Sequence, residues 1–167
     1  SPWFKNGKET ELPEDFYSSE FFVDQMIEFI EEDKDTDSPF FAYLSFQAQH
    51  IPLQAPQEFI DKYLTTYEEG WDTLREKRKN KAVEKGIFPP DKKIVDSMST
   101  LDSWSALDQE SKKMIIKSMA VFAGMLDAMD FHIGRFINYL KKEGLYEHTI
   151  FIGTADNGPE GNDPSDH

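Results

Sequence analysis

Residues 149–158 read TIFIGTADNG. Apolar and β-branched residues run up to an acid, an amide and a glycine, which predicts a buried strand ending at Asp156 and Asn157. Open α/β sheets bind their ligands beyond the carboxyl ends of their strands. We therefore predict that these two oxygen-bearing side chains lie at a binding site.

A second stretch has the same design. Residues 40–46 read FFAYLSF, and the residues that follow read QAQHIP and contain His50. If the two strands are parallel, His50 shares one edge of the sheet with Asp156 and Asn157. We then expect a site with one titratable nitrogen and at least two hard oxygen ligands.

Helices are predicted around and between these stretches. Residues 1–16 are polar and are predicted to form a loop, after which Ser18 or Ser19 can cap a first helix. A short helix is predicted near residues 57–63 and another over residues 71–85, which carries a cluster of cations. The cluster comprises Arg75, Lys77, Arg78, Lys79 and Lys81. We interpret it as a solvated face, as charged runs usually are.

The longest predicted helix covers about residues 109–143, with Asp108 as its N-cap and Gly144 as its C-cap. Its apolar residues step by three and four along one face, which predicts a buried stripe. That stripe comprises Ile115, Met119, Phe122, Leu126, Met129, Ile133, Phe136 and Leu140. Because a strand–helix–strand order implies a right-handed parallel connection, we predict an α/β layered fold, of which this chain is a part.

The composition indicates a folded, acidic protein. Its 167 residues include 14 Phe, 6 Tyr and 3 Trp, enough aromatic residues to build a core. The net charge of −14 argues against nucleic acid or an anionic membrane as a partner, because either would repel the surface. The absence of cysteine excludes disulfides, thiolate zinc sites and cysteine nucleophiles within this stretch.

The ends of the chain suggest a piece of a larger protein. It starts at Ser1 without an initiator Met, and it stops in an irregular acidic loop over residues 160–167. Neither a signal peptide nor a segment of transmembrane length is present in this stretch. We therefore expect the natural protein to be longer.

The residues alone leave two interpretations of Asp156, Asn157 and Gly158. Asn-Gly is the favoured two-residue hairpin turn, although the residues after it do not alternate like a returning strand. Carboxylate and amide oxygens also suit a hard cation such as calcium or magnesium. The calcium loop of an EF-hand is not matched, because Gly158 stands where its second acidic ligand would be.

The histidines are expected to differ in role. His50 follows a strand end, where it serves either as a structural hydrogen-bonding group or as part of a site, since loops at strand ends carry function. His132 lies inside the long helix and is expected to be structural, and His148 is expected to be exposed. His167 stands at the chain end, where the sequence assigns it no role.

Several catalytic motifs are missing. The sequence has no glycine-rich phosphate loop, no Gly-x-Ser-x-Gly turn and only three arginines. A hydrolase of dianionic esters needs a nucleophile and several cations around the anion, and this stretch supplies at most His50 for that purpose. Asp127 and Asp130 are interpreted either as groups that support packing or as partners of Arg135, and we assign them no catalytic role.

Four segments resemble those of bacterial type I arylsulfatases and follow the same order. Residues 40–56 resemble the substrate-histidine region of that family, and residues 155–161 resemble its second metal-binding motif. Residues 67–75 and 119–135 resemble further segments of the same proteins. Each motif alone is short, but four in order are specific, so the chain is identified as a member of this family over about residues 16–161.

The resemblance implies an alkaline-phosphatase-like fold, a three-layer α/β architecture with a central mixed sheet between helices. It implies hydrolysis of sulfate esters by a hydrated formylglycine, made from Cys or Ser in a Cys/Ser-x-Pro-x-Arg motif, with calcium or magnesium at the sulfate. It further implies that Asp156 and Asn157 are metal ligands. His50 would contact the sulfate and help to protonate the leaving oxygen.

The sequence also departs from this family. The nucleophile motif with its arginine, the first aspartate pair of the metal site and a later lysine have no counterpart here. We therefore expect residues 1–167 to be the central-to-late part of a catalytic domain, truncated at both ends and inactive alone.

The resemblance also sets expectations for partner and location. The expected partner is a small-molecule or carbohydrate sulfate ester, with no nucleic acid and no membrane, and the expected location is periplasmic or secreted. Two alternatives stay open. One is a phosphate or phosphonate ester hydrolase of the same superfamily, and the other is a non-catalytic sulfatase-like binding domain.

Overall fold

The computed structural model describes residues 2–34, 38–93 and 102–158. Helices dominate these ranges, together with one two-stranded sheet. The elements are β1 (Trp3–Lys5), β2 (Lys8–Thr10), α1 (Ser18–Glu32), α2 (Gln57–Asp61), α3 (Gly70–Glu84) and α4 (Gln109–Lys142), with short 3-10 turns at Trp104–Ala106 and Tyr146–His148. No helix within these ranges is both long and apolar enough to cross a membrane.

A β-hairpin stands where residues 1–16 were predicted to form a loop. β1 and β2 pair antiparallel, with Trp3 opposite Thr10. Asn6 and Gly7 join them with φ angles of 52° and 75°, the left-handed conformation that suits Asn-Gly in a two-residue turn. The loop prediction is wrong because strands of three residues show too little alternation to be recognised.

α1 begins where the sequence predicts, but not by the predicted cap. Tyr17 occupies the N-cap position, and no side chain there accepts a hydrogen bond from the first turn. Ser18 and Ser19 instead lie inside the helix and are 8% and 0% exposed. Burial of these two small side chains brings the start of α1 close to its neighbours.

The main core cluster lies between α1 and α4. Val23 of α1 and Leu140 of α4 are fully buried, and Phe136 is almost so. Partly buried residues pack around these three: Met26, Ile27, Ile30, Leu44, Phe46, Tyr139, Leu145 and Tyr146. Full burial of such an apolar side chain contributes about 1.5–3 kcal/mol. The cluster therefore fixes the two helices and the segment that contains Leu44 and Phe46.

The predicted N-cap of α4 is confirmed, and Gly144, predicted as the C-cap, lies one residue beyond the actual C-cap, Glu143. The Asp108 carboxylate accepts from the backbone amide of Ser111 at 2.8 Å, and this bond lowers the pKa of Asp108. At the other end Gly144 has a φ of 72°, and the Leu145 amide donates back to the Leu140 carbonyl at 2.8 Å. These contacts satisfy groups that helix ends otherwise leave free.

The buried face of α4 differs from the predicted stripe. Phe122 and Leu126 are 37% and 47% exposed, respectively. A row at four-residue spacing is buried instead: Ala120, Gly124, Ala128, His132, Phe136 and Leu140. The N-terminal part of this row consists of small residues because α2 lies close to it. A Cβ on Gly124 would lie 3.1 Å from the Ile60 amide nitrogen. The predicted stripe is correct only at its C-terminal end.

The two predicted strands have no pairing partner within the described ranges. Residues 40–46 and 149–155 join neither each other nor the hairpin, because the only ladder in these ranges links β1 and β2. Side-chain exposure still alternates along the first segment, where Phe41 and Tyr43 point outward. A mostly helical chain with a small sheet is consistent with part of an α/β fold, and the parallel arrangement of the two strands stays a prediction.

Candidate functional site

The backbone that leads to His50 starts from the core. Leu44 and Phe46 pack against the cluster between α1 and α4. The chain then turns over residues 47–50, where the His50 amide donates to the Gln47 carbonyl at 2.8 Å. A partly buried anchor followed directly by a tight turn limits the positions that the His50 backbone can reach.

Contacts with α4 hold the rest of this loop. Gln49 Nε2 donates to the Phe122 carbonyl at 3.4 Å. Further along, α2 buries Phe59 and Ile60 against the small-residue row of α4. The loop that carries His50 is therefore attached to α4 on both sides. Gln49 carries no sequence signal of a role other than its position next to His50.

The His50 side chain is exposed and makes one side-chain hydrogen bond within the described ranges. Its Nδ1 lies 2.7 Å from the carbonyl oxygen of Ile51. Because a carbonyl oxygen only accepts, we assign the ring proton of the neutral form to Nδ1. Nε2 then carries the lone pair and has no hydrogen-bond partner in the described part of the chain. This nitrogen can exchange a proton with a ligand.

Asp156 and Asn157 lie in an exposed bend. The preceding run is anchored at its start, where Thr149 Oγ1 donates to the Leu145 carbonyl at 2.8 Å. The Asn157 amide donates to Asp156 Oδ1 at 3.0 Å. Within the described ranges, the second carboxylate oxygen and the side-chain carbonyl oxygen of Asn157 make no hydrogen bond and are open to a ligand.

The oxygen atoms of Asp156 and Asn157 are of the kind that a hard cation binds, but they are too few to complete its coordination. Carboxylate and amide oxygens suit calcium, which takes about six to eight oxygen ligands. The described residues contain no group of three or more His, Cys, Asp or Glu side chains that could hold a metal. Nor does a hydrogen bond or ion pair join His50 to Asp156 or Asn157 within these ranges. Asp156 and Asn157 can thus supply only part of a site.

Part of the chain end that the sequence analysis discussed cannot be compared with the structure. The acidic loop over residues 160–167 and His167 both lie outside the described residues, as does the end of the motif at residues 155–161. His148, by contrast, is exposed as predicted.

His132 is structural, as predicted. It is 4% exposed, and its ring lies 6.3 Å from that of Tyr17 and 5.2 Å from that of Phe131. Arg135 Nη1 lies 2.9 Å from His132 Nδ1. Because a guanidinium only donates, His132 accepts there with an unprotonated Nδ1. Burial lowers the pKa of His132, and the nearby Arg135 charge acts in the same direction.

Within the described ranges, Arg135 pairs with neither Asp127 nor Asp130, the two acids named as its possible partners. Its Nη2 donates to Asp24 Oδ1 of α1 at 2.6 Å. Asp127 pairs instead with Lys62, at 2.8 Å, and Asp130 makes no ion pair within the described ranges. Arg135 therefore connects the buried His132 to α1.

Comparison with known proteins identifies one family. The family model described as Sulfatase matches residues 1–166. An uncharacterized sulfatase of Schizosaccharomyces pombe is 40% identical over 148 residues, which cover 87% of this chain and 26% of the relative. An arylsulfatase of Klebsiella aerogenes is 35% identical over 154 residues, covering 92% of this chain and 33% of the relative. The chain thus spans about a quarter to a third of the length of these curated relatives.

Proposed function

The chain belongs to the sulfatase family, and from this premise we propose that the whole protein is a sulfuric ester hydrolase of the arylsulfatase type. The observation that carries the proposal is the 35% identity to the Klebsiella aerogenes arylsulfatase over 92% of this chain. An arylsulfatase of Clostridium perfringens, 26% identical over 145 residues, supports the same activity. The proposed fold is the three-layer alkaline-phosphatase-like architecture, of which these residues form a part.

His50 is the proposed catalytic residue of this chain. Its exposed Nε2 is free to contact a sulfate oxygen or the bridging oxygen of the ester. A proton on Nε2 would assist departure of the leaving alcohol, whose oxygen gains negative charge as the S–O bond breaks. The Ile51 carbonyl accepts from Nδ1–H, which leaves Nε2 as the ring nitrogen that can hold or release this proton.

Asp156 and Asn157 are the proposed metal ligands. Their open oxygens match the preference of calcium or magnesium, and two ligands leave room for others from outside the described residues. When bound, the cation would supply charge neutralisation at the sulfate oxygens. Asp156 would contribute the negative charge that holds the ion, and the amide of Asn157 would contribute a neutral oxygen.

The remaining parts of the machinery are proposed to lie elsewhere in the whole protein. These are the formylglycine nucleophile with its arginine, the first aspartate pair and a lysine. On this proposal the 167 residues alone bind metal weakly and do not turn over ester. A periplasmic or secreted location is likewise proposed on the family likeness alone.

The experiment that tests the function compares two esters. The whole protein and residues 1–167 are assayed on 4-nitrophenyl sulfate and on 4-nitrophenyl phosphate. We expect the whole protein to hydrolyse the sulfate faster and residues 1–167 to be inactive. Faster phosphate turnover would replace the proposal with a phosphoesterase. A whole protein that lacks the nucleophile motif and hydrolyses neither ester would support a non-catalytic binding domain.

A further inference from the structure

Positive charge is concentrated in one part of this acidic chain. Residues 70–93 contain eight Lys and Arg against four Asp and Glu, whereas the whole sequence has 18 against 32. α3 and the residues that follow it therefore form a basic region, and the rest of the chain is more acidic than its average suggests.

Exposed cations of α3 and of its C-cap residue form a row, which we call the cation row of α3 and define as Lys77, Arg78, Lys81 and Lys85. All four side chains are exposed. Lys77 pairs with Glu69, whereas the other three make no ion pair within the described residues. Three of the four recur every fourth residue, so their backbones are about 6 Å apart along the helix axis. The row thus presents evenly spaced positive charges to solvent.

α3 packs mainly through its first turn, away from this row. The rings of Trp71 and Trp104 meet edge to face with centroids 5.1 Å apart. Gly70, with a φ of 81°, lets Trp104 lie against the helix start where a Cβ would collide with its ring. Beyond this turn the exposed side of α3 is polar. The cation row is therefore a surface that no described element covers.

We propose that the cation row of α3 binds a sulfated polysaccharide. The identity of the polymer rests on the function proposed above, since a substrate with several sulfate esters presents anions next to the one that reacts. Lysine ammonium groups on flexible stems suit anions spaced along a flexible chain. A linear polymer also matches a charge row that is one helix wide.

The negative charge of the chain outside the basic region disfavours polyanions whose charge is spread over a wide surface. An anionic membrane or a nucleic-acid duplex presents negative charge over a wide area, and much of that charge would face the acidic remainder of this chain. A single polysaccharide strand can follow α3 without this repulsion. Charge complementarity therefore favours the narrow, linear partner.

The test uses two variants of the whole protein with the same change in net charge. The row variant carries Arg78→Gln, Lys81→Gln and Lys85→Gln, and glutamine keeps a high helix propensity. The control carries Lys8→Gln, Lys113→Gln and Lys117→Gln, which are exposed cations elsewhere with no ion pair in the described ranges. Binding of dextran sulfate is measured at several salt concentrations, with unsulfated dextran as the blank.

We expect the row variant to bind dextran sulfate about tenfold or more weakly than wild type and to show a shallower salt dependence, because fewer counterions are released. The control should bind like wild type. Equal losses in both variants, wild-type binding by the row variant, or equally tight binding of duplex DNA or phosphatidylserine vesicles would each overturn the inference.

A separate assay distinguishes failure of the polysaccharide-binding proposal from failure of the proposed function. The row lies outside the residues assigned to catalysis, so the row variant should hydrolyse 4-nitrophenyl sulfate like wild type. If wild type turns over this ester but the row variant still binds dextran sulfate normally, only the polymer inference fails. If wild type does not turn over sulfate esters, the proposed function fails whatever the binding result.

Discussion

Gly124 of α4 lies directly against the backbone of Ile60 in α2, where an added Cβ would be 3.1 Å from the Ile60 amide nitrogen. Gly134 lies in the same helix, but a Cβ there would meet nothing within 4 Å. Substitutions at these two glycines can therefore distinguish the effect of close packing on stability from the effect of backbone freedom. The close approach also holds α2, and with it one end of the loop that carries His50, onto α4.

Replacing each glycine by alanine should give opposite results. Gly134→Ala is expected to raise the free energy of unfolding by roughly 0.5–1 kcal/mol, because alanine favours the helix. At Gly124 the methyl group must displace backbone atoms of α2, and overpacking of this kind costs about 1–3 kcal/mol. Urea unfolding should therefore rank Gly124→Ala below wild type and Gly134→Ala above it. Equal stability of the two variants would show that α2 does not pack as described.

The buried His132 predicts a loss of stability in mild acid. Burial holds its pKa below the usual value of 6.5, so the unfolded chain takes up a proton more readily than the folded protein. The contribution of neutral His132 to the free energy of unfolding is fully present above pH 6.5. It is lost as the pH falls through the lowered pKa of the folded state. His132→Gln should reduce the pH dependence of unfolding in this window.

The matched control for this prediction is His148→Gln, which replaces an exposed histidine. It should retain the wild-type pH dependence. Glu20 and Asp24 also act on His132, and they remain in both variants. A wild-type pH dependence in His132→Gln would mean that these or other groups, rather than the imidazole, are responsible.

His50→Ala should lower the turnover of 4-nitrophenyl sulfate by the whole protein by about 10² or more, the usual scale for a proton-transfer or anion-contact residue. The thermal midpoint should change little, because the side chain is exposed and its contact is with the adjacent carbonyl. His148→Ala provides an exposed-histidine control with wild-type turnover. Unchanged turnover in His50→Ala would remove this residue from the proposed mechanism.

Asp156→Ala should abolish turnover and weaken stabilisation of the whole protein by calcium. A ligand that binds only the folded state raises the thermal midpoint, and loss of a charged metal ligand reduces that rise. Asp102→Ala removes another exposed acid and should leave the calcium effect intact. The measurement is the thermal midpoint with and without calcium. An equal rise in wild type and Asp156→Ala would exclude Asp156 as a ligand.

The helices were predictable because their signals are local. The Asp108 cap acts on a residue only three positions away, and Gly144 ends α4 through its own backbone conformation. The hairpin at Asn6 and Gly7 was equally local, but its strands were too short to be recognised.

The candidate site was predictable in its residue types but not in its arrangement. The sequence indicated His50, Asp156 and Asn157 through their positions after apolar runs. The preference of His50 for a proton on Nδ1 required the position of the Ile51 carbonyl. Whether the three side chains meet stays a prediction, because pairing of their strands depends on neighbours that the described ranges do not contain.

The sequence by itself determined the extent and N-cap of α4, the basic character of α3 and the family to which the chain belongs. Tertiary structure decided which face of α4 is buried, because the choice of small over large residues depends on Ile60, far away in the chain. It likewise decided that Arg135 pairs with Asp24, 111 positions away, rather than with the nearer Asp127 or Asp130. A local bond such as that of Asp108 has its partner fixed by the short separation along the chain. Several acids of equal chemistry could instead pair with Arg135, and only the packing of the helices selects Asp24 among them.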